Sequence, residues 1–412
     1  MKFIETQNKE DIEHYKQFLK AVGGFSNLYS TSSKPYIQYR VAENVFAKAF
    51  KAENLARADV AYDAVVNGYG IGIKTFILSG ASKIEKVAEF NAYSAELRGL
   101  AGIELAKRLA YYRNERIGFA DRAYDIQNRI YHIIGRDKGV IKVFEVHYEL
   151  IDVDSIVILH ETRSSLKFRD RSNEYNFNFS KSVLMMRFNI PKEYLEIEVD
   201  IIHDPIGVLM RLSEADDKVG VFKVGAPQKR VIFKRFPEDL EMETESDNVS
   251  TEELVPGTDY IILPLYSPKA KANAIEPIIP VKSQLNQWNA GGRMRDPGEV
   301  YIPIPAEIHK LAPGFLPPKD YVFHLKVPNG DILNAKVCQQ GDKALMSNPN
   351  NALSDWLLRK VFKLKENEIL EYDRLRAVGY DSVKVTKVNK DEYLIDFAPI
   401  DAYENFIIKL NE

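Results

Sequence analysis

The amino-acid sequence predicts a mixed α/β part followed by a mostly-β part. Its 412 residues are too many for one ordinary hydrophobic core, so at least two domains are expected. Helical periodicities and strands alternate in the first half, whereas short strands separated by proline and glycine fill the second half. Residues 236–260 contain nine acids and no lysine or arginine, which is typical of an exposed connector. We therefore expect one domain at residues 1–235, an acidic linker at 236–258 and a second domain at 259–412.

The composition is that of a soluble globular protein, with 45% hydrophobic and 28% charged residues. No apolar run approaches the roughly 20 residues that span a membrane, and the N-terminus lacks the apolar core of a signal peptide. Cys338 is the only cysteine, which excludes an intrachain disulfide and a cysteine-based zinc site. These features predict a cytoplasmic protein without a membrane partner.

The first half begins with two predicted helices and continues with a hairpin. Apolar periodicity places the helices at about residues 11–22 and 41–53. The hairpin follows at 58–78, and a third helical pattern comes at 83–91. A longer basic helix is expected at about 95–134, with its charges on a solvated face. Further strands are expected at residues 140–149, 155–160, 174–179, 195–202 and 219–224.

The hairpin carries an acid on one strand and a lysine on the other. Asn67-Gly68 is a strong signal for a two-residue type I′ turn, because both central positions of that turn need a positive φ. Counting outward from the turn puts Asp63 opposite Gly72. Since side chains alternate along a strand, Lys74 points to the same face as Asp63. A carboxylate beside a lysine is the minimum equipment of a metal-dependent nuclease, in which the acid holds Mg²⁺ and the lysine supports the attacking water.

A second carboxylate is expected beside Asp63, but Gly72 occupies its usual place two residues before the lysine. We choose Glu89, because the helix predicted at 83–91 would let its side chain reach back over the sheet to Asp63. Three other acids near the hairpin in sequence are the alternatives. They are Glu43, Glu53 and Asp59.

Residues 41–91 resemble the PD-(D/E)XK nuclease superfamily of restriction endonucleases, in the order helix, acidic strand, turn, lysine-bearing strand and helix. The resemblance implies Mg²⁺-dependent phosphodiester hydrolysis, with Asp63 and Glu89 as metal ligands and Lys74 assisting the attacking hydroxide. As a hypothesis, part of the basic helix at 95–134 lies along DNA phosphates beside this site. The simplest alternative is an exposed hairpin with a cross-strand ion pair. Two glycines on the lysine-bearing strand argue against it, because glycine weakens a strand unless a group such as a DNA backbone or a metal approaches closely. These are Gly70 and Gly72.

The second half predicts a barrel or sandwich of short strands. Asn329-Gly330 signals another hairpin turn, and one helix is expected at about residues 353–362 with Asn351 near its N-cap. The strands are expected at residues 260–266, 299–304, 321–327, 331–338 and 382–388.

Two polar loops lie between these strands, and we name them the first arm (residues 283–295) and the second arm (residues 339–351). The first arm combines amides, arginines and Trp288 with a Gly-Gly pair, and the second arm combines amides with a lysine. Arginine reads guanine, and asparagine or glutamine reads adenine, so such loops suit the major groove of DNA. The alternative is that the amides simply make turns and that Trp288 and Trp356 belong to the core.

The run from Leu285 to Arg295, followed by Glu299-Val-Tyr-Ile-Pro-Ile-Pro and later by Gly341-Asp-Lys-Ala, resembles the plant-type B-three DNA-binding pseudobarrel. Bacterial restriction enzymes use the same module in the C-terminal part of the NgoFVII family and in the EcoRII effector domain. The resemblance covers roughly residues 258–412 and implies that both arms contact DNA. The implied contact residues are Asn286, Gln287, Trp288, Asn289, Arg293 and Arg295 on the first arm, and Lys343, Ser347, Asn348, Asn350 and Asn351 on the second.

Together the two resemblances imply a type II restriction enzyme, which is a Mg²⁺-dependent endonuclease specific for a sequence in double-stranded DNA. A cognate DNA methyltransferase is expected in the same system. The alternatives are a modification-dependent endonuclease that reads a methylated base and a sequence-specific DNA-binding protein without catalysis. Cutting both strands needs a homodimer or two successive nicks, and the sequence leaves this choice open together with the recognition sequence.

Overall fold

The computed structural model describes residues 3–55, 60–214 and 254–411. Asp59, the strand expected at 219–224 and most of the acidic linker lie outside these residues. The helices are α1 (Phe3–Thr6), α2 (Lys9–Gly24), α3 (Tyr39–Phe50), α4 (Ser94–Leu97), α5 (Gly102–Ala123), α6 (Pro205–Glu214), α7 (Pro268–Ala272), α8 (Ala306–Leu311), α9 (Ala352–Ser354), α10 (Tyr372–Val378) and α11 (Ala402–Asn411). None of these described helices is long and apolar enough to cross a membrane.

The strands form three sheets, which makes the chain a mixture of helix and sheet. The strands are β1 (Glu53–Asn54), β2 (Ala64–Val66), β3 (Tyr69–Ile77), β4 (Ser82–Glu89), β5 (Asn128–Asp137), β6 (Val140–His147), β7 (Val157–Glu161), β8 (Ser165–Arg169), β9 (Glu174–Asn178), β10 (Val183–Asn189), β11 (Leu195–Glu198), β12 (Tyr260–Pro264), β13 (Ile302–Pro303), β14 (Val322–Lys326), β15 (Ile332–Cys338), β16 (Ala344–Ser347), β17 (Tyr380–Lys387) and β18 (Glu392–Pro399).

The first sheet has the order β1-β2-β3-β5-β6-β11. Its neighbouring strands are antiparallel except for β3 and β5, which run parallel and are joined by a long connection that contains α5. Helices α1, α2 and α3 cover one face of this sheet, where Phe46 packs with Ile71 and Ile134. Helix α5 covers the other face. This sandwich of helices around a central sheet places the β2–β3 hairpin between two packed layers.

The predicted hairpin is confirmed in its turn and its register. Val66 pairs with Tyr69, and Asn67 and Gly68 both have positive φ, at 47° and 75°. The ladder of β2 and β3 ends at the pair Ala64 and Ile71. The backbone N–H of Asp63 also donates to the carbonyl of Ile71, so this bond replaces the expected pairing of Asp63 with Gly72.

The helix predicted at residues 83–91 is wrong, because these residues form β4. Strand β4 pairs with β10 to begin a second, antiparallel sheet of order β4-β10-β9-β8-β7. The partner strand lies about a hundred residues later in the chain, and no local pattern announces such a pairing. The long basic helix predicted at 95–134 is also divided, since α5 ends at Ala123 and β5 begins at Asn128.

The third sheet, of order β12-β17-β18-β14-β15-β16-β13, forms most of the second half. Its neighbouring strands are antiparallel apart from the parallel pair β14 and β18. The edge strands β12 and β13 contact each other, so the sheet nearly closes into a barrel. The expected strand at 299–304 shortens to β13, and the helix expected at 353–362 is the short α9 followed by a π-helical stretch at Asp355–Val361.

The C-terminal end of α5 joins the two halves. Phe119 packs against Phe362, Tyr380 and Phe397 of the second half. The Tyr124 hydroxyl donates to the two carboxylate oxygens of Asp396 at 2.8 and 2.9 Å. These contacts belong to one continuous apolar core, so the barrel and α5 pack as a single unit.

Candidate functional site

A cavity of about 240 Å³ lies between the β3–β5 face of the first sheet, strand β4 and helix α5. Asp63, Lys74 and Glu89, the three residues predicted for catalysis, all line it. Ala377 and Val378 of α10 complete its wall from the second half of the chain. The structure therefore brings the three side chains to one concave site.

Asp63 is held in place by the hairpin itself. Its Oδ2 accepts a hydrogen bond of 2.7 Å from the backbone N–H of Ile73 on the opposite strand. Lys74, one residue further, points to the same cavity, with its Nζ 6.0 Å from the centroid of the Tyr131 ring. Among the described residues no ion pair within 4 Å involves Lys74, so the alternative of a cross-strand ion pair between Asp63 and Lys74 does not hold.

The glycines of β3 make room for tyrosine rings. A Cβ atom at Gly70 would lie 2.6 Å from the ring of Tyr62, and one at Gly72 would lie 2.8 Å from the ring of Tyr131. Both distances are shorter than any side chain tolerates, so the close approach that we expected of DNA or a metal is made by the protein itself. The ring of Tyr131 also explains why no acid stands at position 72.

Glu89 lies at the end of β4 rather than on a helix. It is exposed, and its carboxylate pairs with Lys86 at 2.9 Å and accepts a hydrogen bond from Asn91. Glu89 thus reaches the cavity at its open side with its charge already partnered.

Glu43 on α3 is the acid that interacts with the predicted pair. It is 5% exposed and pairs with Arg40 at 3.1 Å. Burial raises the pKa of Glu43, the negative charge of Asp63 raises it further, and the positive charge of Lys74 opposes both. Glu53 instead interacts with Lys326 of the second half, and burial raises its pKa.

Few acids lie in or beside the cavity, and their number limits which metal ion they could bind. No group of three or more His, Cys, Asp or Glu side chains within residues 3–55, 60–214 and 254–411 could hold a metal ion. Mg²⁺ usually keeps several waters and is bound through one or two carboxylates, unlike ions that need a full protein cage. Asp63 lines the cavity, and Glu43 does not line it but interacts with the charge of Asp63. Two carboxylates of this kind are compatible with Mg²⁺.

Two basic side chains of α5 reach the cavity, although the sequence analysis places the charges of this helix on a solvated face by default. Arg113 and Arg116 both line the cavity, and Arg113 is only 3% exposed, which corrects the solvated face expected for this helix. A sequence signal existed, because Arg113 falls at four-residue spacing on the apolar stripe formed by Leu105, Leu109 and Ile117. A charged residue on such a stripe deserves a functional hypothesis.

The first arm is organised around Glu299, which is 4% exposed. Its carboxylate accepts hydrogen bonds from Gln287 and Arg295, each at 2.8 Å, and from Arg293. Gln287 in turn accepts a bond of 3.0 Å from Gln339 of the second arm. The two arms are therefore joined through buried polar contacts.

Two of the residues predicted to contact DNA are structural instead. Asn286 is fully buried and exchanges hydrogen bonds with the backbone of Leu370 at 2.9 and 3.0 Å. Ser347 is 2% exposed, and its hydroxyl accepts a hydrogen bond of 2.8 Å from the backbone N–H of Leu353. A side chain whose donors and acceptors are used internally cannot read a base, so both predictions are corrected. A third predicted contact residue, Gln287, is also buried and bonded within the protein, to Glu299 and Gln339.

The other arm residues divide by exposure. Trp288 is partly buried and packs against the barrel core, and Asn289, also partly buried, donates to the carbonyl of Val281 at 3.0 Å. Arg295 is partly buried beside Glu299. The exposed residues are Arg293, Lys343, Asn348, Asn350 and Asn351.

Residues 265–389 match the family model of the NgoFVII C-terminal B3-like DNA-binding domain. The match contains both arms and the strands between them. The nearly closed barrel fits this domain. The match supports sequence-specific DNA binding by this half, as in the C-terminal part of a type II restriction enzyme. No curated protein matched the chain in sequence.

Proposed function

We propose that the chain is a Mg²⁺-dependent endonuclease of the type II restriction class that cuts double-stranded DNA at a specific sequence. One observation carries the proposal. The cavity that contains Asp63 and Lys74 is built into a chain whose second half matches a restriction-enzyme DNA-binding domain, and α10 of that half forms part of the cavity wall.

The cavity and the adjacent Glu43 together offer the parts that phosphodiester hydrolysis requires. Asp63 and Glu43 would hold Mg²⁺, which polarises a phosphate oxygen and makes water a better nucleophile at neutral pH. The backbone N–H of Ile73 keeps the Asp63 carboxylate in one orientation. Lys74 has no ion pair among the described residues, so its ammonium group is free to stabilise the attacking hydroxide or the charge on the phosphate. Glu89 is the second choice as metal ligand.

The second half would recognise the target sequence in the DNA. Arg293 on the first arm and Lys343 on the second are exposed, and Arg293 donates to Glu299, which also accepts from Gln287. Arginine suits guanine and lysine suits phosphate or guanine, so these side chains are the leading candidates for DNA contacts. Two active sites would come from a homodimer or from successive nicks, and a cognate methyltransferase would protect the host target.

Substitutions in the hairpin test the proposal. Asp63→Asn and Lys74→Ala should each slow Mg²⁺-dependent plasmid cleavage on the order of 10³-fold. Binding of the target duplex without Mg²⁺ should stay within about twofold of wild type, because the arms are unchanged. Asp137→Asn, at the end of β5 and away from the cavity, is the matched control and should cut normally. Full cleavage by both hairpin variants would refute the catalytic assignment.

A DNA-binding protein without catalysis is the second candidate, because the family match covers only the DNA-binding half. The same plasmid assay with and without Mg²⁺ separates it from an endonuclease. Binding of a selected target with no nicking at any Mg²⁺ concentration would favour this candidate. A parallel comparison of methylated and unmethylated plasmid separates a conventional restriction enzyme from a modification-dependent one.

A further inference from the structure

Arg113 is a buried cation without a carboxylate partner. Its guanidinium donates to the carbonyl of Glu149 at 2.8 Å and to the Tyr131 hydroxyl at 3.4 Å. Its Cζ lies 5.3 Å from the centroid of the Tyr148 ring. Its Nε is buried and has no hydrogen-bond partner, and no ion pair within 4 Å involves it among the residues that the structure describes.

Such an arrangement is costly for the folded protein alone. A charged group loses its hydration on burial, and neutral acceptors recover only part of that loss. Even a buried ion pair can often be replaced by apolar residues of similar volume without loss of stability, so a buried charge is weak evidence for a stabilising role. A buried guanidinium with an unused N–H that lines a cavity therefore indicates a ligand that supplies the missing negative charge.

The surroundings of Arg113 also favour an anion. Four cations and two acids line the cavity, which leaves an excess of two positive charges. Burial raises the pKa of Tyr148, and the charges of Arg113, Asp63 and Arg116 all act on that phenol. The predicted catalytic carboxylate and the two arginines of α5 are therefore close enough to interact around one tyrosine. The cations are Lys74, Lys86, Arg113 and Arg116, and the acids are Asp63 and Glu89.

We propose that Arg113, with Arg116 one helical turn further, forms a phosphate-binding subsite inside the cavity. The guanidinium group matches phosphate oxygens through two parallel hydrogen bonds, which the free Nε and a neighbouring N–H of Arg113 can provide. The identity of the ligand as a phosphate of the DNA strand rests on the proposed function, whereas the anion site itself does not. In the endonuclease Arg113 binds one phosphate of the strand while the scissile phosphate lies at Asp63 and Lys74.

Inorganic phosphate is the probe that tests the subsite without cleavage. Isothermal titration of the full chain in the absence of Mg²⁺ should detect binding to the wild type. Arg113→Met should weaken it at least tenfold, and Arg113→Lys should fall between them because the charge remains and the paired geometry is lost. Arg108→Met is the matched control on the same helix, since Arg108 is exposed, pairs with Glu96 and does not line the cavity.

Thermal unfolding distinguishes this role from a structural one. If Arg113 serves a ligand, the melting temperature of Arg113→Met in phosphate-free buffer should equal or exceed that of the wild type, and added phosphate should raise only the wild-type value. Unchanged phosphate affinity in Arg113→Met, or no phosphate binding by the wild type, would overturn the subsite. If Arg113→Met does not fold, Arg116→Met answers the same question, with weaker phosphate binding expected and wild-type affinity contradicting the proposal.

The subsite and the endonuclease can fail separately. Asp63→Asn should abolish cleavage yet bind inorganic phosphate at least as tightly as the wild type, because a nearby negative charge is removed. Arg113→Met should cut DNA at least tenfold more slowly at an unchanged Mg²⁺ requirement. If the wild type binds phosphate but never cuts DNA, the endonuclease proposal is refuted and the phosphate subsite is supported. A chain that cuts DNA equally well with Met at position 113 would sink the subsite alone.

Discussion

The cavity in the first half and the first arm in the second half both combine acids with cations, but they treat those charges in opposite ways. In the first arm, buried Glu299 accepts hydrogen bonds from Arg293 and Arg295, so both arginines of the loop have a carboxylate partner. In the cavity, Lys74 and Arg113 have no ion pair within 4 Å among the described residues. Internal pairing gives the arm a defined shape, whereas the cavity leaves charge for a ligand to balance.

The contrast shows that a polar residue in a loop sequence can serve the structure of the loop rather than a ligand. The amides of the arms looked like DNA contacts, yet Asn286 and Gln287 are buried and bonded within the protein. Loops need such bonds because their backbone has no regular ladder to satisfy it. The buried amides of the first arm are thus satisfied within the protein, whereas the cations without an ion pair lie among tyrosines in the cavity.

Glu43, the buried acid that interacts with Asp63 from beside the cavity, gives the sharpest test of this contrast. Glu43→Gln should slow Mg²⁺-dependent cleavage at least about 100-fold and raise the Mg²⁺ concentration needed for half-maximal rate, because the charge next to Asp63 is lost. Glu89→Gln should stay within about threefold of wild type, since that carboxylate is already paired with Lys86. Cleavage rates across a Mg²⁺ titration check both variants. If Glu89→Gln slowed cleavage more than Glu43→Gln did, Glu89 would be the better candidate for the second metal ligand, even though its carboxylate is paired with Lys86.

The sequence predicted what local rules determine. The hairpin, its register and the shared direction of Asp63 and Lys74 follow from Asn67-Gly68 and strand alternation, so they could be counted from the turn. The β4 strand could not be predicted, because β10 pairs with it from about a hundred residues away. The error had a consequence, since Glu89 was chosen for a helix that does not exist.

The neighbours of the hairpin were likewise invisible in the sequence. Tyr131 lies over Gly72 because β5 pairs in parallel with β3 after a long crossover, and no local signal gives that register. Glu43 was only one of several acids until α3 packed beside the hairpin. The barrel half was easier to recognise, because its signature is carried by consecutive residues of the first arm.

The junction between the halves supplies a prediction of intermediate size. Burial raises the pKa of Asp396 to about 6, against an ordinary value near 4. The folded state therefore binds this proton more tightly than the unfolded state, and stability from this group is present below about pH 4 and is lost as the pH rises through about 6. Relative to Asp396→Asn, the wild type should lose on the order of 2 kcal/mol between pH 4 and 7.

Denaturant unfolding of the wild type and Asp396→Asn across this pH range checks the prediction. Tyr124→Phe should steepen the dependence, because the hydroxyl that donates to the Asp396 carboxylate is removed. A difference between wild type and Asp396→Asn that does not vary with pH would mean that the two halves do not bury this carboxylate between them. The cavity and the first arm would then belong to two halves that are stable independently of each other.

The smallest effects should separate structural from DNA-contacting residues within the first arm. Asn286→Ala should lower the free energy of unfolding by about 2 kcal/mol, because the backbone groups of Leu370 lose their buried partner. The affinity of Asn286→Ala for a selected target duplex should stay within about twofold when measured well below the melting temperature.

Arg293→Ala should show the opposite pattern, with stability nearly unchanged and affinity about tenfold weaker, since the side chain is exposed and Arg295 still pairs with Glu299. Paired measurements of unfolding and duplex binding decide the matter. If Asn286→Ala weakened binding while Arg293→Ala did not, burial would be a poor guide to which side chains of this arm meet DNA.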